Sequence, residues 1–106
     1  MRLNPHYPPF YVFLLGEAYR FTGRYEEAIA AYKRALTHIP DLLLPHIGLA
    51  TIYSELGREE EARVEAAEVL RINPKYSLEV WRQRSPYKDP AVLERMLAAL
   101  RKAGLK

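Results

Sequence analysis

The chain has 106 residues, of which 49% are hydrophobic and 27% charged; its formal net charge is +3 and it contains no cysteine. This balance is typical of one globular domain, and it excludes a disulfide scaffold, a cysteine-based zinc site and thiol catalysis. The longest uncharged stretch, residues 3–16, is too short and too rich in proline to cross a bilayer or to act as a secretory signal. We therefore expect a cytoplasmic protein.

The most informative feature of the sequence is an internal repeat, in which residues 9–42 recur as residues 43–76. Chance agreement over such a length at average composition would give roughly two identities. The observed identical pairs are Leu15/Leu49, Tyr19/Tyr53, Gly23/Gly57, Arg24/Arg58, Glu26/Glu60, Glu27/Glu61, Ala28/Ala62, Leu36/Leu70 and Pro40/Pro74. The chain therefore contains two copies of one structural unit with a period of 34 residues.

Each unit is predicted to form two helices joined by a tight turn. In the first unit, apolar residues at helical spacing lead to Gly23, which favours the turn, and Glu26 and Glu27 then suit the positive end of a second helix. Pro40 prevents that helix from continuing. The second unit repeats the pattern around Gly57, and the small residues at corresponding positions predict a close approach of the paired helices.

A third unit begins at residue 77 and then departs from the period. Residues 77–84 predict a short helix that Ser85 and Pro86 terminate, and Asp89 can cap a final helix with Pro90 at its first position. Gly104 is a plausible C-terminal stop for that helix. The apolar stripe of the final helix consists of Leu93, Met96, Leu97 and Leu100. Because the last unit of an array has no neighbour, we expect residues 77–106 to act as a capping segment.

The start of the chain resembles the end of a repeat, since residues 2–5 (RLNP) are similar to residues 71–74 (RINP). We therefore expect residues 1–8 to be the end of a preceding repeat, and the chain to be a segment of a longer protein. The predicted organisation is one domain over residues 1–106, with repeats at 9–42 and 43–76.

The two units resemble the tetratricopeptide repeat, whose pattern is W-x2-L-G-x2-Y…A-x3-F…P. The matching residues of the first unit are Leu15, Gly16, Tyr19, Ala28, Tyr32 and Pro40, and those of the second are Leu49, Ala50, Tyr53, Ala62 and Pro74. The tryptophan position is occupied by Val12 and His46, and Ala66 replaces the second aromatic residue. The resemblance implies an all-α superhelix of helix-turn-helix units and a non-catalytic role in binding a peptide or partner helix.

A second resemblance concerns the tail, residues 73–105, and the opening residues 3–8. Both are similar to the helical repeats of bacterial multidomain proteins in which an adenylate/guanylate cyclase domain precedes a tetratricopeptide array. This resemblance implies an alternative function, homo-oligomerisation or regulation within a cyclase-like signalling protein. The apolar residues of the first helix would then be the contact between copies.

Helical spacing and the family resemblance together predict a partner-binding concave face formed by the first helix of each unit. The predicted residues are Phe10, Phe13, Leu14, Glu17, Phe21, Ile47, Thr51, Ser54, Glu55, Trp81 and Arg82, with Lys88 as a further candidate. Aromatic residues with a few charges are typical of a peptide groove. The alternative is that Phe10, Phe13, Phe21 and Trp81 pack against other helices. Glu17 stands where a carboxylate-binding clamp would need a cation, which argues against that mode of binding.

No residue pattern indicates catalysis, a metal or a cofactor. His6, His38 and His46 have no helical spacing that would put two ligands on one face, and the scattered glycines form no phosphate loop. Residues 75–106 carry eight Lys/Arg and three Asp/Glu, a net charge of +5, but not as a continuous run. We interpret this as a solvated surface rather than a nucleic-acid site.

Overall fold

The computed structural model describes residues 8–84 and 89–106, and over these residues the chain is all-helical. Six helices follow in order: α1 (Pro9–Phe21), α2 (Tyr25–His38), α3 (Leu43–Glu55), α4 (Glu59–Ile72), α5 (Leu78–Arg84) and α6 (Pro90–Lys102). The predicted all-α, helix-turn-helix repeat fold is confirmed. The expectations for residues 1–7, Ser85, Pro86 and Lys88 concern positions outside the described residues.

The two predicted turns have the backbone conformation that favours glycine. Gly23 has φ +79° between α1 and α2, and Gly57 has φ +77° between α3 and α4. A side chain in this region of φ is strained, so glycine can join the helices at little steric cost. Helices α2 and α4 then end before Pro40 and Pro74, as the sequence predicts.

Tyr32 lies at the centre of the packing between the repeats and is fully buried. Its ring lies against two glycines: a Cβ on Gly16 of α1 would come within 2.8 Å of it, and a Cβ on Gly48 of α3 within 2.6 Å. These glycines therefore let α1 and α3 both approach α2 closely. The predicted close approach at Gly16 is confirmed, and it extends to the junction between the two units.

The final helix packs on the side of α3, not in the order that a third repeat would follow. Asp89 caps α6 by accepting a hydrogen bond from the backbone N–H of Ala91, at 2.9 Å, and Gly104 ends the helix with φ +112°. Its apolar stripe is buried at Met96, Leu97 and Leu100. Burial of each such side chain contributes roughly 1.5–3 kcal/mol, so α6 is an integral part of the core.

The short helix α5 is held at the same end of the molecule. The backbone N–H of Leu78 donates a hydrogen bond to the carbonyl of Lys106, at 3.0 Å, and the Leu78 side chain is buried. Within the described part of the chain, no helix has both the length and the apolar character needed to cross a bilayer.

Candidate functional site

The α3 half of the predicted binding face is closed by the protein itself. Ile47, Thr51 and Ser54 are only 1%, 0% and 3% exposed, so they are core residues and do not line an open groove. They share a helical stripe with Glu55, whose carboxylate pairs with Arg95 of α6 at 2.8 Å. The expectation that these three residues face a partner is therefore corrected, because α6 packs where a peptide was predicted.

The two described residues predicted on the third unit contact the chain's own helices. Trp81 is half-buried and packs against the hydrophobic core, and the guanidinium of Arg82 pairs with Glu94 of α6. Arg82 also lies 3.8 Å from Glu79, one helical turn earlier. Of the two alternatives for Trp81, the arrangement favours packing beside the last helix. Arg82 links α5 to α6.

The α1 half of the predicted face is divided between core and surface. Phe13 is only 8% exposed, and its ring centroid lies 5.8 Å from that of Tyr32, so it belongs to the core. Phe10 and Phe21, in contrast, are 56% and 50% exposed. The guanidinium of Arg20 lies over the Phe21 ring, 4.6 Å from its centroid, and orients that ring at the surface.

Glu17 belongs to a charged network between α1 and α2. Its carboxylate accepts hydrogen bonds from the Tyr32 hydroxyl and from the Arg20 guanidinium, the latter at 3.1 Å. The Nε of Arg20 also donates to the Tyr32 oxygen, at 3.3 Å. Burial and the Glu17 charge raise the pKa of the Tyr32 hydroxyl far above its ordinary value. Glu17 thus has a packing role that its helical position alone did not indicate.

A cavity of about 360 Å³ lies beside Phe21, between the end of α1 and α6. Its walls include Tyr25 from the start of α2, Glu55 from the end of α3, and Arg95 and Met96 from α6. Arg95 is within 3.5 Å of the Tyr25 hydroxyl as well as paired with Glu55. The cavity therefore places an exposed aromatic ring next to both a carboxylate and a guanidinium.

A strip of α1 that continues the helical face of Phe21 is also exposed. Tyr11, Leu14 and Ala18 are exposed and recur at the helical spacing of one face. The corresponding residues of α3 are Pro45, Gly48 and Ile52, and all three are buried. Leu14, predicted on the concave face, is exposed, whereas its neighbour Phe13 is buried.

His46 forms a buried polar contact that the sequence reasoning did not anticipate. Its Nδ1 lies 2.7 Å from the Glu65 carboxylate of α4, and its Nε2 lies 2.8 Å from the Pro40 carbonyl. Both ring nitrogens face acceptors, which the doubly protonated imidazolium satisfies. Burial lowers the pKa of His46, but the hydrogen bonds to Glu65 and to the Pro40 carbonyl outweigh it and raise the pKa above 6.5.

No group of three or more His, Asp or Glu side chains that could hold a metal occurs within residues 8–84 and 89–106. A family model described as tetratricopeptide repeat matches residues 22–84, which is more than half of the chain. Neither the search of curated proteins nor that of solved structures found a match to the chain.

Proposed function

Because the chain belongs to the tetratricopeptide repeat family, whose members generally mediate protein–protein interactions, we propose that it binds a peptide or partner helix along α1 and the adjoining cavity. Domains of this family are typically non-catalytic. The proposed site consists of Phe10, Phe21, Tyr25, Glu55 and Arg95.

The observation that carries this proposal is the exposure of Phe21 beside a cavity with charged walls, with Phe10 exposed at the other end of the same helix. Burial of an exposed aromatic ring by a partner contributes roughly 1.5–3 kcal/mol. The Glu55–Arg95 pair at the cavity can orient a partner's polar groups, while the rings supply most of the affinity. Because the site is formed by helices that are already packed, the protein loses little conformational entropy on binding.

The partner class that fits is an amphipathic peptide with an apolar side chain for the cavity and a neighbouring charge. Such peptides bind helical grooves through side chains at helical spacing. A groove extending over α3 is not part of the proposal, since α6 fills that position.

The test is selection of a peptide-display library against the immobilised chain. We expect enrichment of sequences that combine an aromatic or aliphatic anchor with a charge, and loss of about tenfold or more in their affinity on Phe21→Ala. Val64→Ala is the matched control, because Val64 is an exposed apolar residue on α4. Enriched peptides that bind Phe21→Ala as tightly as the native chain would refute the proposed site.

A second candidate function is homo-association, which the exposed strip of Tyr11, Leu14 and Ala18 favours. Light scattering over a concentration series tests it, since self-association raises the average mass with concentration. A regulatory role within a cyclase-like signalling protein, which the resemblance of the tail implies, stays a prediction. A cyclase domain encoded upstream in the same open reading frame would support that role.

A further inference from the structure

Helix α5 exposes the face that the first helix of each complete unit buries. Val12 on α1 and His46 on α3 occupy the same repeat position, and both are buried; His46 contacts Glu65 of α4. Their counterpart on α5 is Val80, which is 45% exposed, and Arg84, one turn later, is also exposed. The helix that follows α5 leaves this face open, because α6 packs mainly against α3.

A cavity of about 220 Å³, the α5 cavity, lies beside this exposed face. Its apolar walls are Leu43 at the start of α3, Tyr76 between α4 and α5, and Val80 and Trp81 of α5. An apolar cavity of about 150 Å³ holds a benzene ring. The α5 cavity therefore has room for one phenylalanine or leucine side chain.

Lys75 and Arg84 give the α5 cavity a positive rim, and no acidic residue lines it. Neither cation forms an ion pair in the described part of the chain, which contains all 13 Asp and Glu residues. Glu79 and Glu94 pair with Arg82 instead. The two rim cations are therefore available to the carboxylates of a partner.

The combination of apolar walls and a cationic rim favours a particular chemistry in the partner. An apolar side chain flanked by carboxylates matches both features, since the side chain leaves water while the carboxylates stay at the charged rim. A nucleic acid supplies negative charge, but its bases have polar edges that would lose their hydrogen bonds to water inside apolar walls. The α5 cavity thus fits an acidic peptide better than a nucleic acid.

We propose that the α5 cavity binds a short acidic segment of a partner protein, with one apolar side chain in the cavity and carboxylates on Lys75 and Arg84. This site goes beyond the proposed function, because it shares no residue with the cavity beside Phe21. The two cavities contact opposite ends of α3, at Leu43 and Glu55, which are about 18 Å apart along the helix.

The test is a fluorescence titration of the full chain, whose single tryptophan, Trp81, lines the α5 cavity. The probe is a capped synthetic peptide with one phenylalanine between two pairs of aspartates and no tyrosine or tryptophan. We expect a saturable change in the Trp81 emission. Replacing the aspartates by asparagine, or the phenylalanine by glycine, should weaken binding about tenfold or more, because each change removes one of the two matching features.

Charge reversal at the rim tests the two cations directly. The double variant Lys75→Glu, Arg84→Glu should bind the probe about tenfold or more weakly than the native chain. The matched control is Lys33→Glu, Arg63→Glu, which changes the net charge equally at exposed positions of α2 and α4 outside the cavity. It should bind almost like the native chain. Circular dichroism checks folding, and Lys75→Gln, Arg84→Gln replaces the glutamate pair if that variant does not fold.

Three results would overturn the proposal. The first is a Trp81 emission that shows no saturable change with the probe. The second is an equal loss of affinity in the two charge-reversed variants, which would reflect net charge and not the rim. The third is a single-stranded oligonucleotide that binds as tightly as the probe and loses affinity on reversal of Lys75 and Arg84, because the site would then recognise polyanions.

This proposal and the peptide site beside Phe21 fail separately. Phe21→Ala should leave the Trp81 titration unchanged. The Lys75→Glu, Arg84→Glu variant should still bind those selected peptides whose affinity depends on Phe21.

Discussion

At the residue scale, the polar side chains buried between helices have partners that lie far away in the sequence. Glu17 and Arg20 are one turn apart on α1, but Tyr32, which connects them, belongs to the next helix. His46 likewise pairs with Glu65, 19 positions later. Helical spacing predicts neighbours on one helix only, so the sequence could place Glu17 on a face but could not show that the face is packed.

The Tyr32 hydroxyl is expected to stabilise the fold through its hydrogen bond to the Glu17 carboxylate. Tyr32→Phe removes that bond, so the Glu17–Arg20 ion pair loses a hydrogen-bond partner. The substitution should lower the free energy of unfolding by about 1.5–3 kcal/mol. Urea denaturation measures the change. Tyr19→Phe is the control, because Tyr19 is half-buried at the surface of α1, and it should change the free energy much less.

The His46 contact predicts a pH-dependent stability. Since the pKa is raised in the folded protein, the protonated form is the more stable one when folded. Its contribution is complete below the unfolded pKa of about 6.5 and is lost as the pH rises through the folded pKa. The groups that act on the ring are the Glu65 and Glu68 carboxylates and the Pro40 carbonyl.

We therefore expect the free energy of unfolding to fall as the pH is raised from about 6 to about 8, where histidine titrates. His46→Gln should remove most of this slope, and His38→Gln should retain it because His38 is exposed. A native slope that survives His46→Gln would show that another group is responsible.

At the element scale, the repeat period predicted the first four helices and also the residues at which they end. Glycine at the turns and proline after the second helix of each unit are local signals, and the structure places helix ends beside them. The helix against which α6 packs could not be predicted in the same way. After the period is lost at residue 77, the sequence pattern shows that α6 is amphipathic but does not say which helix it covers.

The junction between α2 and α3 is expected to depend on the absence of a side chain at Gly48. Gly48→Ala places a Cβ within 2.6 Å of the Tyr32 ring, which Gly16 confines from the other side. Overpacking of this kind typically costs about 1–3 kcal/mol of stability. The cost should shrink when Gly48→Ala is combined with Tyr32→Leu, and additive losses in this double-mutant cycle would contradict the account.

Helix α6 is expected to be a permanent part of the core and not a displaceable lid. Leu97 and Leu100 are fully buried, and truncation of such a leucine to alanine typically costs about 2–5 kcal/mol. Leu97→Ala should therefore lower the midpoint of thermal unfolding substantially, while Val92→Ala, at a half-buried position of the same helix, should lower it less. Equal effects of the two substitutions would contradict this role of α6.

At the scale of the whole molecule, the two repeats differ at their first helices. Helix α6 packs against α3, whereas α1 keeps large apolar residues exposed. That asymmetry explains why the predicted binding face is partly exposed on α1 and buried on α3. Phe10 and Phe21 are exposed, whereas Ile47 and Thr51 are buried on α3, the helix against which α6 packs. Sequence reasoning assigned both units to one groove because equivalent positions of a repeat look alike until the cap is placed.

The central claim is that the molecule recognises protein partners through α1 and the neighbouring cavity. The most direct measurement is an NMR titration of the isotope-labelled chain with a peptide selected by display. We expect the largest chemical-shift changes at Phe10, Phe21, Tyr25 and Arg95, with α4 residues such as Val64 unaffected. Changes confined to α4, or spread evenly over the molecule, would contradict the account.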